Sequence, residues 1–171
     1  MTRGLRVRAA APGDADAMCS LLNRIIAIGG STAHLQGFDR DRMIGHYICP
    51  PLKIACTLVE DGKGLAGFQA LEWCDPDWPG PGKLPPDWAV IASFVAVDRQ
   101  GQGIGGMLWP HTLAAARVAG VRAIDATIRA DNRAGLRYYS SLGFVDHDRL
   151  AAIPLSDGTP VDRARKSYRL A

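Results

Sequence analysis

Between Gln100 and Gly106 the chain reads Gln-Gly-Gln-Gly-Ile-Gly-Gly. Gly101, Gly103, Gly105 and Gly106 have no side chains, so the main-chain amides there stand bare. Bare amides at the start of a helix bind anions, because the first N–H groups have no intrahelical acceptor and carry partial positive charge. The segment Gln100, Gly101, Gln102, Gly103, Ile104, Gly105, Gly106 is therefore the candidate anion cradle. A glycine turn with no ligand would weaken the following helix by roughly 1 kcal/mol per glycine relative to alanine, with nothing to offset it.

Side chains suited to moving protons are fewer. Of 17 acidic residues only Glu60 and Glu72 are glutamates. Glu60 sits by a hairpin turn, whereas Glu72 ends the apolar run FQALEW beside a long loop, which makes Glu72 the candidate general base. Its plainer role is a solvated strand-end carboxylate. His34, in GGSTAHLQGF, is a second candidate because an unperturbed imidazole titrates near neutrality. Asn132 opens a helix bearing Tyr138 and Tyr139; by themselves these read as a helix cap and two core aromatics. Adjacent helical residues point about 100° apart, so one tyrosine is expected to pack while the other faces a ligand.

Gly101, Gly103 and Gly106 also fit the Gly-x-Gly-x-x-Gly of dinucleotide folds, with Asp125 on the next strand. The placement fits poorly: Asp98, Arg99 and Gln100 separate the strand from the first glycine. Only about 45 residues follow Asp125, too few for the rest of a doubly wound sheet. No Gly-Lys-Ser/Thr follows, which excludes a nucleoside-triphosphate loop.

The elements that must position these residues alternate in α/β fashion. LRVRAA alternates as a half-buried strand, and Met18, Leu21, Leu22, Ile25 and Ile26 recur at helical spacing after it. DRDRMIGHYI predicts a short helix before Pro50-Pro51. KIACTLVEDGKGLAGFQALEW predicts a hairpin turning at DGKG. CDPDWPGPGKLPPDW is too rich in proline for regular structure. AVIASFVAV predicts a central strand covered on both faces, followed by a helix from Gly103 to Val118 whose start Pro110 leaves unsettled. VRAIDATI is a further strand, NRAGLRYYSSL a helix closed by Gly143, and FVDHDRL and DRARKSYRL are the last strands.

At 171 residues the chain is one domain, 1–171, able to bury a core without disulfide or metal. A net charge of +3 does not argue for nucleic acid. Cys19, Cys49, Cys56 and Cys74 lack metal-ligand spacing, so no metal is expected, and buried thiols in a reducing compartment are. No signal-peptide core and no run of about 18 apolar residues is present, so the expected location is cytoplasmic, with no membrane partner.

Gln100, Gly103 and Gly105 together form Gln-x-x-Gly-x-Gly, and about thirty residues on comes Asn132 to Phe144, NRAGLRYYSSLGF. In both segments, and in the strand between them, the chain resembles the GCN5-related N-acetyltransferases, and more faintly their phosphinothricin acetyltransferase-like subgroup. The resemblance implies a single-domain α/β fold: a mixed, mostly antiparallel sheet splayed between strands four and five and flanked by helices. It implies that acetyl-coenzyme A is the co-substrate, with its pyrophosphate on Gln100 to Gly106. It also implies that Asn132 and Tyr139 face the coenzyme, and that backbone amides along Phe94, Val95 and Val97 stabilise the oxyanion. Tyr139, with a phenol pKa near 10, is then the acid that protonates a departing thiol of pKa about 8.5. Many relatives place a glutamate on strand four, where Ser93 stands here and cannot act as a base.

An alkylammonium leaves only about one molecule in a few thousand deprotonated at pH 7, so a base is needed, and Glu72 is the substitute. The resemblance places the acceptor pocket in the loop after helix one and the proline-rich connection, making Ser31, Thr32, His34 and Trp73 the expected substrate contacts. The expected partners are a small-molecule amine, amino-acid-like in the fainter resemblance, and a second copy of the chain in a homodimer. The rival expectation is a catalytically silent acyl-coenzyme A sensing module, favoured by the missing strand-four glutamate.

Overall fold

The structure, a computed structural model, describes residues 4–171. Its elements follow the predicted alternation: β1 (Arg6–Ala9), α1 (Ala15–Ile28), α2 (Arg40–Met43), β2 (Lys53–Asp61), β3 (Gly64–Trp73), β4 (Trp88–Val95), α3 (Ile104–Ala119), β5 (Ala123–Arg129), α4 (Arg133–Ser141), β6 (Val145–Pro154) and β7 (Pro160–Arg169). The seven strands form one sheet in the order β1-β2-β3-β4-β5-β7-β6. Every pairing is antiparallel except β4 with β5.

Helices cover both faces. Ala15, Met18, Leu22 and Ile25 form the buried stripe of α1 and pack with Phe38, Leu58 and Phe68 on one face. On the other, Trp109 and Ala116 of α3 and Tyr139 of α4 pack with Leu71, Ile91, Ile124 and Ile128. Strand alternation sends neighbouring residues of β3, β4 and β5 to these two layers in turn.

Some boundaries differ from the expectation, each for a local reason. β4 ends at Val95, because Val97–Arg99 turns as a 3-10 helix; the apolar run AVIASFVAV continues past the last ladder position, and hydrophobicity alone does not register the bend. The second half of β4 is only part-buried, since it borders cavities rather than a covering layer. The helix at DRDRMIGHYI is one turn of α-helix continued by a π-helical turn, Ile44–Ile48, which directs Tyr47 and Ile48 inward. Pro110 leaves α3 continuous from Ile104 to Ala119. The ring removes one amide from the ladder, the one that would reach the Gly106 carbonyl. Gly143 closes α4 as expected, at φ +98°. Among the described residues no helix is long and apolar enough to cross a membrane.

Candidate active site

The glycine segment is built as an anion cradle. Gly101 and Gly103 have φ of +74° and +79°, the left-handed region that side chains other than glycine rarely adopt. Gly103 is the N-cap of α3 and contributes no side-chain cap. The amides of Ile104, Gly105 and Gly106 therefore have no capping acceptor, and the first α3 amide bonded back to the cap is that of Met107, to the Gly103 carbonyl at 3.1 Å. Arg99 anchors the turn before them to Asp61 at 2.8 Å.

Gly105 has a different reason to be glycine. A Cβ there would lie 2.5 Å from Cε2 of Tyr138, whereas one on Gly106 would meet nothing within 4 Å. Gln100, Gly101, Gly103, Ile104, Gly105 and Gly106 line a cavity of about 460 Å³ closed by Phe94, Val95, Asn132 and Tyr138. Gln102 is turned away, its amide donating to the Asp98 carbonyl at 3.3 Å. Val97 lies in another cleft, with Ala17 and Leu21.

The cavity opens into a gap in the sheet. β4 and β5 pair only at Trp88–Ala123, Ala89–Ile124 and Val90–Asp125, and separate beyond. The even-numbered peptides of β4 face β3: the Trp88 carbonyl accepts from Cys74 at 3.1 Å, and the Ala96 amide donates to Ala66 at 2.8 Å. By alternation the amides of Ile91, Ser93 and Val95 face the gap. Of the expected oxyanion donors, only Val95 points its amide there. Phe94 directs its amide to β3 and contributes a ring packed edge-on to Tyr47 and tilted against Phe68, while Val97 has left the strand.

Both tyrosines reach this gap, which their 100° separation on α4 did not suggest. Buried Gln69 of β3 sets the arrangement. Its Oε1 accepts from Thr112 at 2.5 Å, which commits its amide nitrogen to Ser93 Oγ at 2.8 Å and Tyr138 Oη at 3.0 Å. Tyr138 in turn donates to the Gly105 carbonyl at 2.9 Å, so its proton is engaged. Ser93 Oγ and Tyr139 Oη lie 2.8 Å apart. Between them these two hydroxyls hold two protons, and one lies between the oxygens. The other is free for the adjoining cavity. Burial raises the pKa of both phenols, so both stay protonated near neutrality.

That adjoining cavity, of about 230 Å³, holds Ser31, Thr32 and His34 together with Ser93, Tyr138 and Tyr139. Asn132 caps α4 by accepting from Gly135 at 3.0 Å and straps the loop by donating to the Ser31 carbonyl at 3.1 Å. His34 Nε2 lies 2.6 Å from Tyr47 Oη. Burial, then His46 and Arg42, lowers the His34 pKa to about 4, so the ring is neutral at pH 7 and a weak proton acceptor.

Glu72 and Trp73 lie elsewhere, in a third cavity of about 570 Å³ beneath the proline-rich loop. Burial, with Asp75 adding to it, raises the Glu72 pKa above its ordinary 4.5. Thr127 and Arg163 border this cavity and the smaller one alike. Asp125 is buried against His147 at 2.6 Å and Arg165 at 3.3 Å, so its carboxylate is spent on an ion-pair network.

Gln69, Tyr138 and Arg163 are site residues that sequence reasoning missed. A glutamine inside the apolar run LAGFQALEW is a signal for Gln69, since a buried amide requires partners. Nothing local marks Arg163.

Over residues 31–144 the sequence matches the acetyltransferase (GNAT) family. No curated protein matches it. Solved structures share the fold at low identity. An N-acetyltransferase from Staphylococcus aureus Mu50 is 19% identical with a TM-score of 0.81, covering 98% of this chain and 99% of its own. YncA from Salmonella typhimurium, solved with its cofactor acetyl-CoA, is 19% identical with a TM-score of 0.76, covering 98% and 94%. A phosphinothricin acetyltransferase from Sinorhizobium meliloti, in complex with AcCoA, is 16% identical with a TM-score of 0.79, covering 100% and 90%. With the family matched across two thirds of its length, and an uncapped glycine-rich helix start opening on a split sheet, this chain belongs to the GNAT acetyltransferase family.

Proposed function

We propose that the protein transfers the acetyl group of acetyl-coenzyme A to a primary amine of a small molecule, by direct attack while both are bound. The observation that carries this reading is the meeting of two cavities at one seam: the glycine cavity and the smaller cavity share Ser93, Phe94, Asn132 and Tyr138. A diphosphate is matched by the free amides of Ile104, Gly105 and Gly106. The gap-facing amides of Ser93 and Val95 are fixed before charge develops, which suits them to a tetrahedral oxyanion. The free proton of the Ser93–Tyr139 pair serves the departing thiolate. Glu72, its pKa raised by burial, takes the ammonium proton from the neighbouring cavity through water. Cys74, the thiol bordering that cavity, donates to the Pro85 carbonyl at 3.1 Å, and burial raises its pKa. A covalent acyl-cysteine step therefore has no support, and attack is direct.

The test is release of coenzyme thiol across a panel of amines, with coenzyme affinity measured separately. Thiol release that requires an amine supports the transferase. Tight coenzyme binding with no turnover on any amine would replace it with the acyl-coenzyme A sensor.

A further inference from the structure

Gln69 decides how the protons of the Ser93–Tyr139 pair are arranged. It stands directly opposite Ser93 in the β3–β4 ladder and is fully buried, so both ends of its amide need partners within the protein. Thr112 of α3, also buried, lies 2.5 Å from Oε1, a spacing natural to a hydroxyl donor and shorter than an N–H donor reaches. Tyr138 fixes the same orientation from the other side: its one proton is on the Gly105 carbonyl at 2.9 Å, so toward Gln69 at 3.0 Å it can only accept. The amide nitrogen therefore faces β4.

Ser93 Oγ accepts one N–H of that nitrogen at 2.8 Å. Left to themselves, a phenol donates to an alcohol, because the phenol is the stronger acid, and Tyr139 would then spend its proton on Ser93. Accepting from Gln69 makes Ser93 a poorer acceptor and a better donor, since hydrogen bonds in a chain polarise one another. The Ser93 proton then lies toward Tyr139 Oη, 2.8 Å away, and the phenol proton is the one left for the cavity. Burial raises the Tyr139 pKa, and the Ser93 contact opposes that rise, as a donor to a phenolate does. A reversed Gln69 amide would take the Ser93 proton for itself and lock the Tyr139 proton on Ser93.

We propose that Gln69, oriented by Thr112, is a positioning residue for the acid: acting through Ser93, it leaves the free proton on Tyr139 and supports the phenolate that Tyr139 becomes. This rests on the acetyltransferase reading. As the carbon–sulfur bond breaks, Tyr139 passes its proton to sulfur, forming the thiol. The phenolate then accepts from Ser93, Ser93 accepts from Gln69, and the second proton shed by the acylated nitrogen returns to Tyr139 through water.

The experiment is a double-mutant cycle on the full chain. It compares kcat, for the amine of the panel turned over fastest, in native protein, Gln69→Leu, Tyr139→Phe and the double variant, with coenzyme affinity titrated for each. Gln69→Leu is expected to lower kcat about tenfold in the native background, the scale of a hydrogen bond to a developing charge, and less than about twofold where Tyr139 is already phenylalanine. KM for the amine and coenzyme affinity are expected to stay within about threefold of native. A merely structural role for Gln69 would cost as much in either background. Should Gln69→Leu fail to fold, Thr112→Val, which removes the donor that orients the amide and borders neither the glycine cavity nor the smaller one, must still lower kcat severalfold, and that loss must vanish beside Tyr139→Phe. An unchanged kcat in Gln69→Leu, or a loss that persists beside Tyr139→Phe, overturns the positioning role alone. Absence of native turnover on every amine overturns the acetyltransferase reading, and the role with it.

Discussion

The two tyrosine hydroxyls differ in what their protons are doing. Tyr138 gives its proton to the Gly105 carbonyl, whereas the Ser93–Tyr139 pair keeps one in reserve. Tyr139→Phe is therefore expected to lower kcat by about a hundredfold, the scale of a lost general acid, while coenzyme affinity measured by titration stays unchanged. As the proposed base, Glu72 would set the pH dependence. It must be ionised to accept a proton, and its pKa lies above 4.5, so kcat/KM rises with pH through a value higher than an ordinary carboxylate's. Glu72→Gln is expected to remove that acidic limb, and a profile identical to native would dismiss Glu72 as the base. The sequence marks Tyr139 and Glu72 as candidates, because one lies inside a motif and the other near the end of a strand beside a long loop. It leaves Tyr138 obscure: the close approach of its ring to Gly105 joins residues 33 positions apart and has no local mark.

Elements turn these residues into a site, and the start of α3 is the clearest case. Gly103 is glycine for its backbone angle, Gly105 for the Tyr138 ring, and Gly106 for neither, since a side chain there would project into open space. Gly106→Leu should therefore leave the fold intact and gain up to about 1 kcal/mol of helix stability. The same side chain should fill the cradle and weaken coenzyme binding by at least tenfold, giving opposite shifts in a melting curve and a binding isotherm. The position and type of α3 and β4 were readable from glycine spacing and apolar periodicity. The split beside β4 is expected from the family resemblance alone, because the run Trp88 to Val97, apolar but for Ser93, has no local mark where the pairing with β5 stops at Val90. Arg163 was hidden for the same reason: its position opposite Arg129 is set by long-range register, which DRARKSYRL does not encode locally.

Across the whole molecule, the aromatic cluster around Tyr47 links acceptor side to core, and it carries a stability signature. His34 titrates at about 4 in the folded chain against 6.5 when free, and the His46 pKa is lowered by the same burial. Below pH 6.5 the unfolded chain takes up protons that the native imidazoles refuse, so stability falls as acidity increases from pH 6.5 toward 4. Melting temperature should drop across that window, and a His34→Phe, His46→Phe double variant should flatten the drop. Glu60 acts lower down. Hydrogen bonds from Arg8 and Arg6 depress its pKa to about 2, so its contribution is complete above 4.5 and disappears as pH falls through 2.

The placing of the indoles has a practical consequence. Trp73 and Trp78 border the larger cavity, and Trp78, 48% exposed, rests on Gly80 with its Nε1 donating to the Pro81 carbonyl at 2.9 Å. The glycine cavity is bordered by no tryptophan. Intrinsic fluorescence is therefore placed to report a ligand in the larger cavity and not one in the glycine cavity: emission should shift when an acceptor that reaches into the larger cavity displaces water from the indoles, offering an optical titration of acceptor binding without turnover.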